Sequence, residues 1–135
     1  SLALLTPNLP RGRRLAVFGD GGGHGVIASD LASEAGFDLP RLSDGLAAEL
    51  ADSLGPTAST RNPVDLAGGG EQDFSSFERV TRLLLESGEV DAAVLTGYFG
   101  GYAEYGPEYE ASESEVALAM ARAAAKAGRS RYAGR

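Results

Sequence analysis

The 135-residue chain predicts an α/β fold, a three-layer doubly wound parallel sheet, on three observations. Short apolar runs of strand length alternate with stretches whose apolar residues recur every three or four positions. That alternation repeats four times, which implies parallel strands joined by right-handed helical crossovers. Glycine clusters at 19–25, 68–70 and 97–101 then follow strands, and ligands of such sheets sit beyond the carboxyl ends of the strands.

The first strand is read over 14–18, where an unbroken apolar run suits burial on both faces. Five glycines in the seven residues Gly19-Asp20-Gly21-Gly22-Gly23-His24-Gly25 follow it, so the helical pattern is taken to start at Val26. Its stripe of Ile27, Leu31 and Ala35, with Ala28 and Ala32, faces the core, and Gly36 stops it. A short second strand fits 38–42. Ser43 caps a second helix carrying Leu46, Leu50 and Leu54, closed by Gly55-Pro56. Residues 62–66 read as a third, shorter strand, and Asp73 caps a helix whose apolar face holds Phe77, Val80, Leu83 and Leu84, ended by Gly88. The fourth strand falls at 91–96. Ser112-Glu113-Ser114-Glu115 reads as a capping box for a last helix carrying Val116, Met120, Ala123 and Ala127. An irregular tail, 129–135, stands where a fifth apolar strand is expected.

Composition narrows the function. With 43% hydrophobic and 23% charged residues the chain reads as one globular domain over 1–135, with a leading segment at 1–12. No apolar run approaches a bilayer span, so no membrane partner is expected. Twelve basic residues against nineteen acidic give a net charge of −7, which argues against nucleic acid as a partner. One histidine and no cysteine leave no multi-histidine or thiolate metal site, so none is expected. The N-terminus lacks the basic and apolar regions of a secretory signal, and the cytoplasm is the expected compartment.

The glycine-rich segment after the first strand has the makings of an anion cradle. Glycines let the backbone approach a ligand closely, and a helix presents unpaired N–H groups and about half a positive charge at its start. Gly23-His24-Gly25-Val26-Ile27-Ala28 also fits the G-x-G-x-x-A form of the dinucleotide fingerprint, but Asp38 and Asp44 are poorly placed for the acidic residue that fingerprint requires. His24 either touches a bound anion or merely begins the helix. It is a poor nucleophile candidate, because an imidazolium there faces the positive end of the dipole. Asp30, four residues before Glu34, suits a solvated helix face, and Asp65 either orients the first glycine loop or stabilises its own turn. The stretch from Tyr98 to Glu115, with four of the five tyrosines, suits a docking surface or an acidic loop.

Three segments in order, residues 14–26, Asn62-Pro63-Val64-Asp65-Leu66, and 90–95 running on to Phe99-Gly100-Gly101, resemble the flavodoxin-like domain of nucleoside-diphosphate-forming acyl-CoA synthetases, the group of ADP-forming acetate–CoA ligase and succinyl-CoA ligase. The resemblance implies a flavodoxin-like strand order 2-1-3-4-5 with the fifth strand missing or truncated, and a fragment of a larger enzyme. That enzyme interconverts acyl-CoA, phosphate and nucleoside diphosphate with acid, CoA and nucleoside triphosphate through a phosphohistidine. It implies phosphate binding by the backbone of Gly22, Gly23, His24, Gly25 and Val26, with Asn62, Asp65, Gly100 and Gly101 in support, and His24 as the one catalytic candidate. Many relatives of this kind carry proline at the position of His24, which proline suits as a first helical position. No tightly bound cofactor is expected. ATP, ADP and CoA belong to the full enzyme, whose CoA-binding and nucleotide-grasp modules would be the partners. The rival reading is a free-standing small-molecule, flavin or dinucleotide-binding domain, or an interaction module.

Overall fold

The computed structural model describes residues 3–4 and 12–133, with side chains from residue 12 to residue 128. Four strands, β1 (Ala3–Leu4), β2 (Leu15–Asp20), β3 (Val64–Asp65) and β4 (Ala92–Gly97), form one sheet in the order β1-β4-β2-β3. Strands β4, β2 and β3 are parallel, with Leu15 opposite Ala92 and Phe18 opposite both Leu95 and Val64. The two-residue β1 adds antiparallel to β4. Helices are α1 (Gly22–Glu34), α2 (Asp44–Leu54), the single turn α3 (Gly69–Gln72), α4 (Ser75–Glu86) and α5 (Pro107–Ala133), with a 3-10 turn at Tyr102–Tyr105. The α/β class and its parallel sheet with flanking helices are those expected from the sequence.

Several elements differ in extent. The second expected strand, 38–42, contracts to one parallel bridge between Arg14 and Asp38. Val64–Asp65 lies further along the same edge of β2, so Asp38 and β3 share the place of one edge strand, and β4 is the direct neighbour of β2 on the other side. Asn62 fills the gap: its Oδ1 accepts from the Val17 N–H at 3.0 Å, and its Nδ2 donates to the Leu15 carbonyl at 2.8 Å and the Pro40 carbonyl at 3.2 Å. A side-chain amide thus stands in for a backbone rung. The peptide bond from Asn62 to Pro63 is cis.

The last helix begins at Pro107, not at the Ser112–Glu115 box, because proline is at home at a first helical position and Gly106 breaks the chain before it. It runs to Ala133, through most of the stretch expected as an irregular tail. Of the leading segment 1–12 only Ala3, Leu4 and Gly12 are among the described residues. Other signals hold. The Ser43 hydroxyl accepts from the Leu46 N–H at 3.2 Å and is itself gripped by Glu89. Asp73, expected as the cap, stands one residue ahead of the α4 N-cap Phe74. Its carboxylate accepts from the Ser75 hydroxyl at 2.5 Å and N–H at 3.0 Å and pairs with Arg79 at 2.9 Å, and the Ser75 hydroxyl first, then Arg79, hold it below the usual range. Gly36 follows α1 at φ +90°.

Alternate residues of β2 and β4 feed two unequal cores. Ala16, Phe18, Ala93 and Leu95 face α2, α4 and α5 in a large cluster with Leu50, Phe77, Val80, Leu84 and Met120. Leu15, Val17, Ala92 and Val94 face α1, where, among the described residues, Ala28, Ala32, Phe37 and Leu39 pack against them. The expected stripe on the first helix is therefore split: Ala28 and Ala32 pack, while Ile27 and Leu31 are 62% and 61% exposed. They border a groove of about 510 Å³ along this face.

Candidate functional site

At the carboxyl rim, β2 turns directly into α1. Gly21 makes the corner at φ +111°, a conformation that side chains disfavour, and the helix begins at Gly22 rather than Val26. No side chain caps it. The Gly21 N–H donates to Asp65 Oδ1 at 3.2 Å, and the His24 N–H donates back to the Gly21 carbonyl at 3.2 Å. Between them the N–H groups of Gly22 and Gly23 have no partner among the described residues. A side chain added at Gly23 would meet nothing within 4 Å, whereas one at Gly22 would come within 2.8 Å of Asp65 Oδ2. Gly25 is buried, and an added Cβ would lie 3.3 Å from the Pro63 Cβ, so glycine there lets α1 approach the cis-proline turn. Val26 lies one full turn into the helix, 56% exposed, and its N–H belongs to the helical ladder.

The His24 ring is exposed and rests edge-on against Tyr98, 5.5 Å between centroids at 74°. This places it on the flank of the helix start, beside the apolar groove. Asp65 sits at the rim with Oδ1 shared between the Gly21 and Ala67 amides, the latter at 3.0 Å. Both roles expected for it, orienting the glycine corner and bracing its own turn, fall to one oxygen. Asn62 lies below the rim as the rung described above. The Gly100 N–H donates to Glu113, and the Gly101 N–H donates to the Tyr98 carbonyl at 2.9 Å. That glycine pair is therefore folded onto its own loop, with the buried Glu113 of α5 as its anchor.

Four carboxyl and phenol groups at this rim are not among the site residues expected from the sequence: Asp20 and Glu71, and Tyr102 and Glu113, which the sequence places in a docking stretch and a capping box. Asp20, at the end of β2, is buried and accepts from the Gly68 N–H with one oxygen and from the Glu71 N–H, at 3.2 Å, with the other. It binds the second glycine cluster to the first strand. Asp20, Asp65, Glu71, Tyr98, Tyr102 and Tyr105 line a pocket of about 450 Å³. Burial and the nearby carboxylates Asp20, Glu71 and Glu113 push the Tyr102 phenol well above its ordinary range. The acid sandwiched between glycines at a strand end was the available signal for Asp20; nothing local marks Glu71.

Asp38 pairs beside Arg14 at the opposite end of β2, and Asp44 is exposed next to Arg41, so neither reaches the glycine corner as the dinucleotide fingerprint would need. Asp30 is on the solvated face of α1. Among the described residues no group of three histidine, cysteine, aspartate or glutamate side chains is arranged to hold a metal, and no helix is long and apolar enough to cross a membrane.

Comparison with known proteins places this rim in context. Residues 15–126 match the model of the Ligase-CoA domain. The chain is 33% identical over 89 residues to the alpha subunit of ADP-forming acetate–CoA ligase II from Pyrococcus furiosus, a match covering 66% of the chain and 19% of that subunit. Among solved structures, PH0766 from Pyrococcus horikoshii superposes with a TM-score of 0.56 at 34% identity, over 62% of this chain and 19% of that one. The apo form of dinucleotide-forming acetyl-coenzyme A synthetase 1 from Candidatus Korarchaeum cryptofilum does so with a TM-score of 0.57 at 23% identity, over 91% and 35%. The latter supports the fold alone. The chain thus spans about a fifth of the curated relative's length.

Proposed function

Because the chain belongs to the Ligase-CoA domain family, we propose that it is one module of an NDP-forming acyl-CoA synthetase of the acetate–CoA ligase type, and that it holds phosphate at the start of α1. The full enzyme would convert acyl-CoA, phosphate and nucleoside diphosphate to acid, CoA and nucleoside triphosphate, or the reverse, through a phosphohistidine carried elsewhere. The observation that carries the reading is the pair of unpartnered N–H groups at Gly22 and Gly23, opening a 13-residue helix without a side-chain cap. Such a pair offers two hydrogen bonds to one phosphoryl oxygen set, and the aligned peptide dipoles add on the order of 0.3–1 kcal/mol. His24 would border the anion rather than react. No base or nucleophile is required of this module; it stabilises charge that another module brings.

Asp65, Gly25, Asn62 and Glu113 support the corner without touching phosphate. Asp65 fixes the Gly21 N–H, Gly25 seats the helix on Pro63, and Asn62 holds the strand edge behind it. CoA, ADP and ATP would bind the remaining modules, which would dock on the tyrosine-bearing loop, where Tyr98 and Tyr105 are 56% and 73% exposed. A cytoplasmic location goes with this chemistry. The test is Gly23→Pro in the complete synthetase. The change deletes one N–H at a first-turn position that tolerates proline, and Gly22 before it has no Cβ to clash. Expected is a rise of about tenfold in the phosphate KM, the worth of one charge-assisted hydrogen bond, with the KM for CoA unchanged. An unchanged phosphate KM in a folded variant would remove the proposal.

A further inference from the structure

The pocket beside the glycine corner has the opposite chemistry. It is lined by three carboxyl side chains, Asp20, Asp65 and Glu71, and three tyrosines, Tyr98, Tyr102 and Tyr105, with no lysine, arginine or histidine. Asp20 is satisfied by backbone N–H groups, but the Glu71 carboxylate, Asp65 Oδ2 and the Tyr102 hydroxyl have no hydrogen-bond partner among the described residues. Tyr102 is the telling member. The residue as a whole is only 4% exposed and packs edge-on against Phe74 at 5.0 Å, while its unpartnered hydroxyl is not itself a buried atom and opens onto the pocket that the residue lines.

We propose that this pocket receives a guanidinium group, the arginine side chain of a segment that docks at the carboxyl rim of the sheet. An anion is repelled by three carboxylates. A metal ion needs converging free oxygens, and the described residues hold no such cluster. A guanidinium offers five donors in a plane, enough for Glu71, Asp65 Oδ2 and the Tyr102 oxygen together, and its faces stack on the exposed rings of Tyr98 and Tyr105. The assignment stands apart from the phosphate reading, since it uses neither Gly22 nor Gly23.

Titrating the ¹⁵N-labelled chain with N-acetyl-arginine-N-methylamide tests it. Saturable shifts are expected at the Gly21, Gly68 and Glu71 amides with a Kd on the order of millimolar, weakening as salt is added. The matching citrulline compound should give none. Free arginine should bind no more tightly than the blocked form, because its α-carboxylate finds only carboxylates. Glu71→Gln should weaken binding about tenfold, as loss of a charge-assisted contact does, and Tyr102→Phe by a smaller factor, both with unchanged melting. Absence of saturable shifts in the unmodified chain, equal binding of citrulline, tighter binding of free arginine, or saturation of the same amides by Mg²⁺ alone would each overturn the assignment.

Discussion

The two faces of the sheet are built from neighbouring residues of the same strands, yet they end in different states. On one face Phe18 and Leu95 disappear beneath three helices, with Phe77, Leu50 and Leu84 at 0% exposure. On the other, the described residues that cover Leu15, Val17 and Val94 are those of α1 with Phe37 and Leu39 after it; α1 turns small Ala28 and Ala32 inward and leaves Ile27 and Leu31 more than 60% exposed. Burial of apolar area scales with stabilisation at about 25 cal/mol per Å². The three-helix face therefore holds the larger share of the buried apolar surface, and the α1 face, with the smaller share, carries the helix whose first amides are open. The proposed phosphate seat, at the start of α1, thus lies on the more lightly packed side.

The largest effect that sharpens this contrast is expected from Phe77→Ala. Phe77 stacks on Phe74 and meets Phe99 edge-on at 4.8 Å in the three-helix core. Its truncation should cost about 3–5 kcal/mol, read as a fall in the urea midpoint. Next comes Asn62→Ala, which strips the Val17 N–H and the Leu15 carbonyl of their shared partner. We expect a loss of about 1–3 kcal/mol for the groups left unpaired, together with faster hydrogen exchange at Val17. The smallest effect is expected from Ile27→Ser combined with Leu31→Ser. Urea unfolding of the chain alone should move within about 0.5 kcal/mol, as for surface changes. A loss as large as that of Phe77→Ala would mean that the α1 face is as closed as the other, and would break the contrast.

Periodicity and punctuation made the three-helix face legible. Leu46 and Leu50, then Phe77, Val80 and Leu84, are spaced as an inward helical stripe, and Ser43 and Gly88 bracket them as their chemistry dictates. The α1 stripe misled because its large residues, Ile27 and Leu31, share a side with alanines, and periodicity records a pattern without recording what covers it. The contraction of the second strand was hidden for another reason: Asn62 reaches back from 45 residues away to do the work of a strand edge. At the site, the glycine corner was visible locally. Asp65 was legible in the sequence too, but the roles of Asp20 and Glu113 were not, since Asp20 meets Gly68 across 48 residues and Gly100 meets Glu113 through a helix that starts earlier than its sequence suggests. Proline at 107 was the overlooked signal for that start.

Inorganic phosphate titrated into the ¹⁵N-labelled chain, with sulfate and chloride alongside, addresses the open helix start most directly. We expect saturable shifts centred on the Gly22 and Gly23 amides, smaller ones at His24, none at Asn62, and loss of the response in Gly23→Pro. Shifts spread evenly over the surface, or amides at Gly22 and Gly23 indifferent to phosphate and sulfate alike, would contradict an anion seat at the start of α1.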